Sequence, residues 1–223
     1  MKRISVESLW QNAEASMALP YINKFDMPFE ALSHIAKMIA DISKGLNTDE
    51  YNVISDGVWV AKSARIAPTA TIIGPCIIGE DTEIRPGAFI RGNVIVGKKA
   101  VVGNSTELKN CILFDGVQVP HFNYVGDSIL GYKAHMGAGA VTSNVKSDKT
   151  LVTIKLDGEK IETGRKKFGA LLGDFVEVGC NSVLNPGTVI GKDTNVYPLS
   201  SVRGYVPENS IYKSENNIVE KVR

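Results

Sequence analysis

The sequence predicts an all-β solenoid, a parallel β-helix of hexapeptide repeats, with a small N-terminal helical region and a projecting hairpin. Three observations carry that prediction. Stepping by six from Val60 meets Ile66, Ile72, Ile78, Ile84, Ile90, Val96, Val102, Leu108 and Phe114 before Pro120 breaks the series. Four residues after each comes a second position, small or β-branched from Ala64 through Ala70, Cys76, Thr82, Ala88, Val94 and Ala100 to Thr106. The series returns at Leu130 and Met136, and again at Leu172, Val178, Leu184, Ile190, Val196 and Val202. A period of six fits neither a 3.6-residue helix nor an alternating hairpin strand. It fits a coil in which each hexad gives one short strand and one turn, with successive coils stacked about 4.8 Å apart. The aliphatic position fills the interior, and the small one sits where the interior narrows at a corner.

The remaining elements follow in chain order. In residues 1–50 the hexad is missing, and "PFEALSHIAKMIADISKGLN" sets Phe29, Leu32, Ile35, Ile39 and Ile42 on one helical face, between Pro28 and Gly45. A helical N-terminal region is therefore expected over 1–50, capping the first coil or docking on a neighbouring subunit, and the solenoid domain over 51–223. Between Met136 and Leu172 the motif lapses. "TLVTIKLDGEKIETG" reads there as a hairpin turning at Asp157-Gly158, within an arm spanning about residues 145–168.

Composition bounds the function. Hydrophobic residues at 43% and charged residues at 22% describe a soluble globular chain and exclude disordered and fibrous classes. A formal net charge of +1 supplies no field toward nucleic acid or an anionic membrane, so neither partner is expected. The basic N-terminus is followed by Glu7, Gln11, Asn12 and Glu14 where a signal peptide needs apolar residues. No run reaches the roughly 18 apolar residues of a membrane span. The three cysteines, Cys76, Cys111 and Cys180, show no CxxC spacing, which points to reduced thiols and a cytoplasmic location.

The segments "RPGA" (85–88), "GNSTELKN" (103–110), "HFNYVGD" (121–127) and "GAGAVTSN" (137–144) carry a resemblance to a known family. The hexads resemble the left-handed parallel β-helix acyltransferases. Within them, these segments look like the acetyltransferase domain of bifunctional glucosamine-1-phosphate acetyltransferase/N-acetylglucosamine-1-phosphate uridylyltransferase. "GRKKFGALLGDFVEVGCNSVLNPGTVIG" (164–191) is similar to archaeal bifunctional sugar-1-phosphate nucleotidylyltransferases with the same tail. Residues 1–50 resemble nothing of the nucleotidyltransferase domain, so uridylyl transfer is not expected of this chain.

The resemblance implies an acetyl-CoA-dependent N-acetyltransferase acting on glucosamine-1-phosphate or a related hexosamine phosphate. That chemistry needs a cationic grip for the phosphate, a base for the amine proton, and donors for the thioester oxyanion. Residues 18 apart share a column of the solenoid, which puts Arg85, Gly103 and His121 together, and Arg91 with Lys109. His121 is the expected general base, its imidazole suited to proton removal near pH 7; alone it would read as a solvated turn histidine. By the resemblance, Tyr124 helps hold the sugar phosphate, Arg85 and Lys109 are phosphate and sugar ligands, and Asn144 is a ligand asparagine. Arg85 and Lys109 read equally as exposed turn charges, and Glu107, which matches an acidic residue near the acceptor, as part of a solvated face. His135 stands two residues before "GAG", where the relatives carry Asn, and Lys149 or Lys146 stands in for a loop lysine.

Ala138, Cys180 and Pro198 match the positions lining acetyl-CoA. Cys180 is expected to act through its backbone, since the family transfers acetyl directly. A homotrimer is implied, because the family's site is closed by neighbouring subunits. No metal is expected: a zinc hydratase on this fold needs three converging histidines, and His34 lies in the helical region. A non-catalytic trimeric scaffold for a separate nucleotidyltransferase and a sugar O-acetyltransferase remain open.

Overall fold

In the computed structural model, residues 4–12, 14–156 and 158–222 are described. The hexads form a left-handed parallel β-helix. Ile66 pairs with Ile84 and Ile84 with Val102, eighteen residues per coil. Three columns of parallel strands result. The first stacks Val58–Ala61, Cys76–Ile78, Val94–Val96, the second halves of Glu107–Leu113 and Tyr124–Leu130, then Ala170–Leu172, Thr188–Ile190 and Tyr205–Val206. The second runs from Arg65–Ile66 through Val101–Asn104, Gln118–His121 and His135–Met136 to Ser210–Ser214. The third holds Thr71–Ile73, Phe89–Arg91, the first halves of the two long strands, Val141–Thr142, Val183–Leu184 and Ser201–Val202.

The interior is what the period demands. Ile84, Ile90, Val96, Val102 and Leu108 are buried, each contributing roughly 1.5–3 kcal/mol by transfer from water. At the small position, the buried Thr82 hydroxyl donates to the Gly97 carbonyl at 2.7 Å and that of Thr106 to Val119 at 3.0 Å, so neither is stranded. Coils also touch closely at corners. A Cβ on Gly103 would lie 1.6 Å from the Pro120 carbonyl oxygen.

The phase differs from the sequence count in one stretch. Leu113 pairs with Val96 and Val119 with Val102, so the aliphatic series is one residue early by then, and Phe114 and Pro120 are not its members. The lost residue lies between Leu108 and Leu113, and a second is lost between Val125 and Leu130. At both places a seven-residue strand runs through the corner, turning on Asn110 and Asp127, each with φ of 48°. The expected column of Arg85, Gly103 and His121 is therefore corrected. Pro120 stands beside Gly103, and His121 pairs with Asn104.

The helical region comprises α1 (Val6–Leu9), α2 (Leu19–Ile22), a 3₁₀ turn Pro28–Ser33, and α3 (Ile35–Ser43). The anticipated apolar face is real but divided between turn and helix, which meet at His34. This region does not cap the first coil. It lies lengthwise along the first column, α3 against Cys76–Ile78 and Val94–Val96 and the 3₁₀ turn against Tyr124–Leu130. The reason is written in that column: its outward residues Ile77, Ile95, Ile112, Ile129, Leu171 and Val189 are apolar and fully buried, so its strands are covered on both faces. Trp10 fastens the far end, its indole N–H donating to the Leu172 carbonyl at 2.9 Å.

The hairpin pairs Thr153–Leu156 with Glu159–Glu162, antiparallel; Asp157 of its turn lies outside the described residues. One of its faces lies on the coils, burying Val152, Ile154 and Leu156, with the Thr153 and Lys155 carbonyls close over Gly187 and Gly204. Antiparallel hairpins, Tyr51–Ser55 on Val58–Ala61 and Ser210–Ser214 on Asn217–Glu220, close the two ends of the solenoid. Each takes up the hydrogen-bonding groups of an otherwise open coil edge.

Candidate functional site

With the first column covered, the second and third columns and their corners are left to carry polar chemistry. The corner between second and third bears Arg85, His121, Ala138, Cys180 and Pro198. That between third and first bears Lys109, Asp127, Asn144 and the root of the arm. Tyr124 lies on the third column, between the two corners.

His121 ends its strand with its backbone pinned on both sides. Its N–H donates to Asn123 Oδ1 at 3.1 Å, and its carbonyl accepts from Gly139 N–H at 3.0 Å. Asn123 is buried, and its amide also donates to the carbonyls of Gly137 (2.8 Å) and Ala140 (3.0 Å). The side chain of Asn123 thus ties the histidine to the "GAGA" turn of the next coil, a role the sequence reading missed. The imidazole is exposed and has no hydrogen-bond partner among the described residues, leaving both ring nitrogens for a ligand. Phe122 beside it stands in the left-handed region (φ 52°) and is 61% exposed.

At the other corner, two of the expected ligands meet on one carboxylate and a third is bonded to one of them. Buried Asp127 accepts from Asn144 Nδ2 at 2.6 Å on one oxygen and from Asn110 Nδ2 at 2.9 Å on the other. Lys109 Nζ lies 3.8 Å from it. Asn144 Nδ2 donates in addition to the Tyr124 hydroxyl at 3.3 Å. Burial, with the Asp127 and Glu107 carboxylates, pushes the Tyr124 phenol up, so it stays protonated as a donor. Glu107 Oε1 accepts from Arg91 Nη1 at 2.6 Å, an exposed pair joining neighbouring coils.

The other expected residues lie apart from this cluster. Arg85 pairs with Glu83, Nε to Oε1 at 3.3 Å. His135, on the second column, has Nδ1 2.8 Å from Glu177 Oε2, beside a groove of about 750 Å³ that Lys98, Lys99, Lys133, Tyr132 and Phe175 also line. Lys149 is an exposed turn residue with φ of 57°, its N–H donating to the Lys146 carbonyl. Ala138, Cys180 and Pro198 follow one another on successive coils: the Ala138 carbonyl accepts from Asn181 and that of Cys180 from Leu199, both at 2.9 Å. Cys180 is exposed, while burial pushes the Cys76 thiol up to about 12 and that of Cys111 higher still. The arrangement offers a free imidazole at one corner and, at the next, an ammonium and an amide held by one buried carboxylate, with a phenol bonded to the amide.

Much of this chain is similar in sequence to known proteins. Residues 72–218 match the family described as the GMPPB C-terminal domain. The chain is 31% identical over 193 residues to a bifunctional sugar-1-phosphate nucleotidylyltransferase/acetyltransferase of Sulfurisphaera tokodaii, covering 78% of this chain and 48% of that one. It is 35% identical over 139 residues to the bifunctional protein GlmU of Methanococcus vannielii, covering 62% and 33%. The chain thus spans a third to a half of the length of these curated relatives. Among solved structures, the acetyltransferase domain of PglB from Neisseria gonorrhoeae in complex with acetyl coenzyme A aligns with a TM-score of 0.34 and 14% identity, over 82% of this chain and 63% of that one.

Proposed function

The chain belongs to the GMPPB C-terminal domain family, and from that premise we propose that it is an acetyl-CoA-dependent N-acetyltransferase acting on glucosamine-1-phosphate or a related hexosamine phosphate. The observation that carries the proposal is the meeting of Lys109 and Asn144 on Asp127, with the Tyr124 hydroxyl bonded to Asn144, one corner away from a His121 imidazole that has no hydrogen-bond partner among the described residues. The name of the Sulfurisphaera tokodaii relative, which pairs sugar-1-phosphate nucleotidylyl transfer with acetyl transfer, supports the same acceptor class.

Lys109 and the Asn144 amide supply charge and a directed donor for the acceptor's phosphate, and the Tyr124 hydroxyl a further hydrogen bond. His121, neutral, takes a proton as the acceptor amine attacks the thioester carbonyl. The C–N bond forms, the C–S bond breaks, and the imidazolium returns its proton to the departing CoA sulfur. Acetyl-CoA lies along the corner of Ala138, Cys180 and Pro198, met by backbone groups. Cys180 is not the nucleophile in this scheme, because the amine attacks directly.

A homotrimer completes the site. The His121 face is open on a single protomer, and the second column, with His135 and Glu177, is the polar flank that a neighbouring copy would lay against it. Free, buried Cys76 and Cys111 suit a reducing, cytoplasmic compartment.

The test is CoA thiol release with glucosamine-1-phosphate, galactosamine-1-phosphate and unphosphorylated glucosamine as acceptors. Turnover confined to the phosphorylated amines, falling by roughly 10²–10⁴ in His121→Ala, is the expected result. Turnover of hydroxyl acceptors alone would replace N- by O-acetylation. Failure to bind acetyl-CoA would leave a scaffold.

A further inference from the structure

Asp127 is an acidic group within the proposed acceptor site, and it is nearly inaccessible at 4% exposure. A carboxylate is a poor neighbour for a phosphate, and burying one is costly unless it is hydrogen-bonded and paired. It also occupies the left-handed region at φ 48°, which Asp and Asn tolerate best. Its partners explain its presence. Asn144 and Lys109 meet its Oδ2, and Asn110 meets its Oδ1; Lys109 and Asn110 belong to one coil, while Asn144 opens the arm after the next. Asn110 has a second hydrogen bond from the same amide nitrogen, to the Leu32 carbonyl of the 3₁₀ turn at 3.1 Å. The arm is tied in by the backbone: Gly169 N–H donates to the Asp127 carbonyl at 2.8 Å, and Phe168 N–H to that of Asn144 at 2.9 Å. Arg165 on the arm reaches the Ser33 hydroxyl of the same turn.

We propose that Asp127 is the positioning residue of the acceptor site: it aims the Asn144 amide and the Lys109 ammonium, and the N-terminal region locks it through Asn110 and the Leu32 carbonyl. The inference rests on the acetyltransferase reading for what these groups bind. It also gives the N-terminal region a task beyond covering the first column. Its 3₁₀ turn holds the acceptor site's organising carboxylate in place.

Asp127→Asn is the discriminating substitution, because Asn keeps the shape and tolerates the left-handed backbone. Its amide has one oxygen where Asp has two, so one of the two facing NH₂ groups, of Asn110 or Asn144, meets a donor instead of an acceptor. On the full chain, KM for the hexosamine phosphate is expected to rise about tenfold or more, the loss of one charge-assisted hydrogen bond. In the same variant kcat and the KM for acetyl-CoA stay within about threefold, whereas a loosened fold would raise both KM values. The side-chain amide signals of Asn144 and Asn110, followed by ¹⁵N NMR without substrate, should shift. An unchanged acceptor KM, or a parallel rise in both KM values, overturns the inference. Should the wild type turn over no hexosamine phosphate, the functional reading fails and the NMR signals alone decide: shifted, Asp127 positions these amides; unshifted, it does not.

Discussion

Trp10 is the sharpest test of how the N-terminal region is held. Its indole is 3% exposed, sits 5.1 Å from the Phe114 ring centroid, and fills a notch at Gly131, where a Cβ would come within 2.6 Å of the indole Cδ1. A tryptophan buries up to roughly 250 Å². At about 25 cal/mol per Å² that is an upper bound near 6 kcal/mol, reduced because the unfolded chain already hides part of it. Trp10→Ala should therefore cost about 3–5 kcal/mol, cavity included. Trp10→Phe keeps most of the ring and loses the N–H, and the Leu172 carbonyl still accepts from Gly131 N–H at 2.9 Å. With no acceptor left unsatisfied, its cost should be about 1 kcal/mol. Urea unfolding followed by far-UV circular dichroism measures the difference. Amide exchange at Ile95 and Ile112 then reports whether the region detaches before the solenoid unfolds. A Trp10→Ala protein within about 0.5 kcal/mol of wild type, with those amides still protected, would refute the docking argument.

Three further outcomes follow from the same geometry. Gly103→Ala forces the coils apart at Pro120 and should lower stability by more than about 3 kcal/mol, read as a large drop in the thermal midpoint. A maleimide should label Cys180 in the native protein and reach Cys76 and Cys111 only on unfolding, as mass spectrometry of the labelled peptides would record. Asp174 accepts from Gln11 and Tyr132 N–H at 2.9 and 2.8 Å, yet burial raises its carboxyl above the usual range. Its unfolded form then ionises first. The stability it contributes is present at low pH, falls as pH rises from the unfolded toward the folded value, and is gone above it. Relative to Asp174→Asn, the wild-type thermal midpoint should therefore decline across that acidic window; a rise there would contradict the assignment.

Much of this was legible in the residues. The six-residue period determines a coil of short strands, because only inward positions are constrained to be aliphatic or small. "HFNYVGD" and "GAGAVTSN" mark the candidate site for the same reason, each running through a corner with residues, such as His121 and Tyr124, that the repeat does not require. One signal was present and unread: Ile77, Ile95, Ile112, Ile129, Leu171 and Val189 are apolar at outward positions, which requires a cover over that column. The tertiary structure alone decided three things. It took one residue out of the count between Leu108 and Leu113, where Leu113 and Phe114 are both apolar and hydropathy cannot tell which faces inward. It laid the helices along the flank rather than over the end, because burial there depends on a column assembled from six separate segments. And it joined Lys109, Asn110 and Asn144 on Asp127. The Lys109-Asn110 pair meets Asp127 only across coils, where inter-strand pairing, and no spacing along the chain, sets which side chains meet.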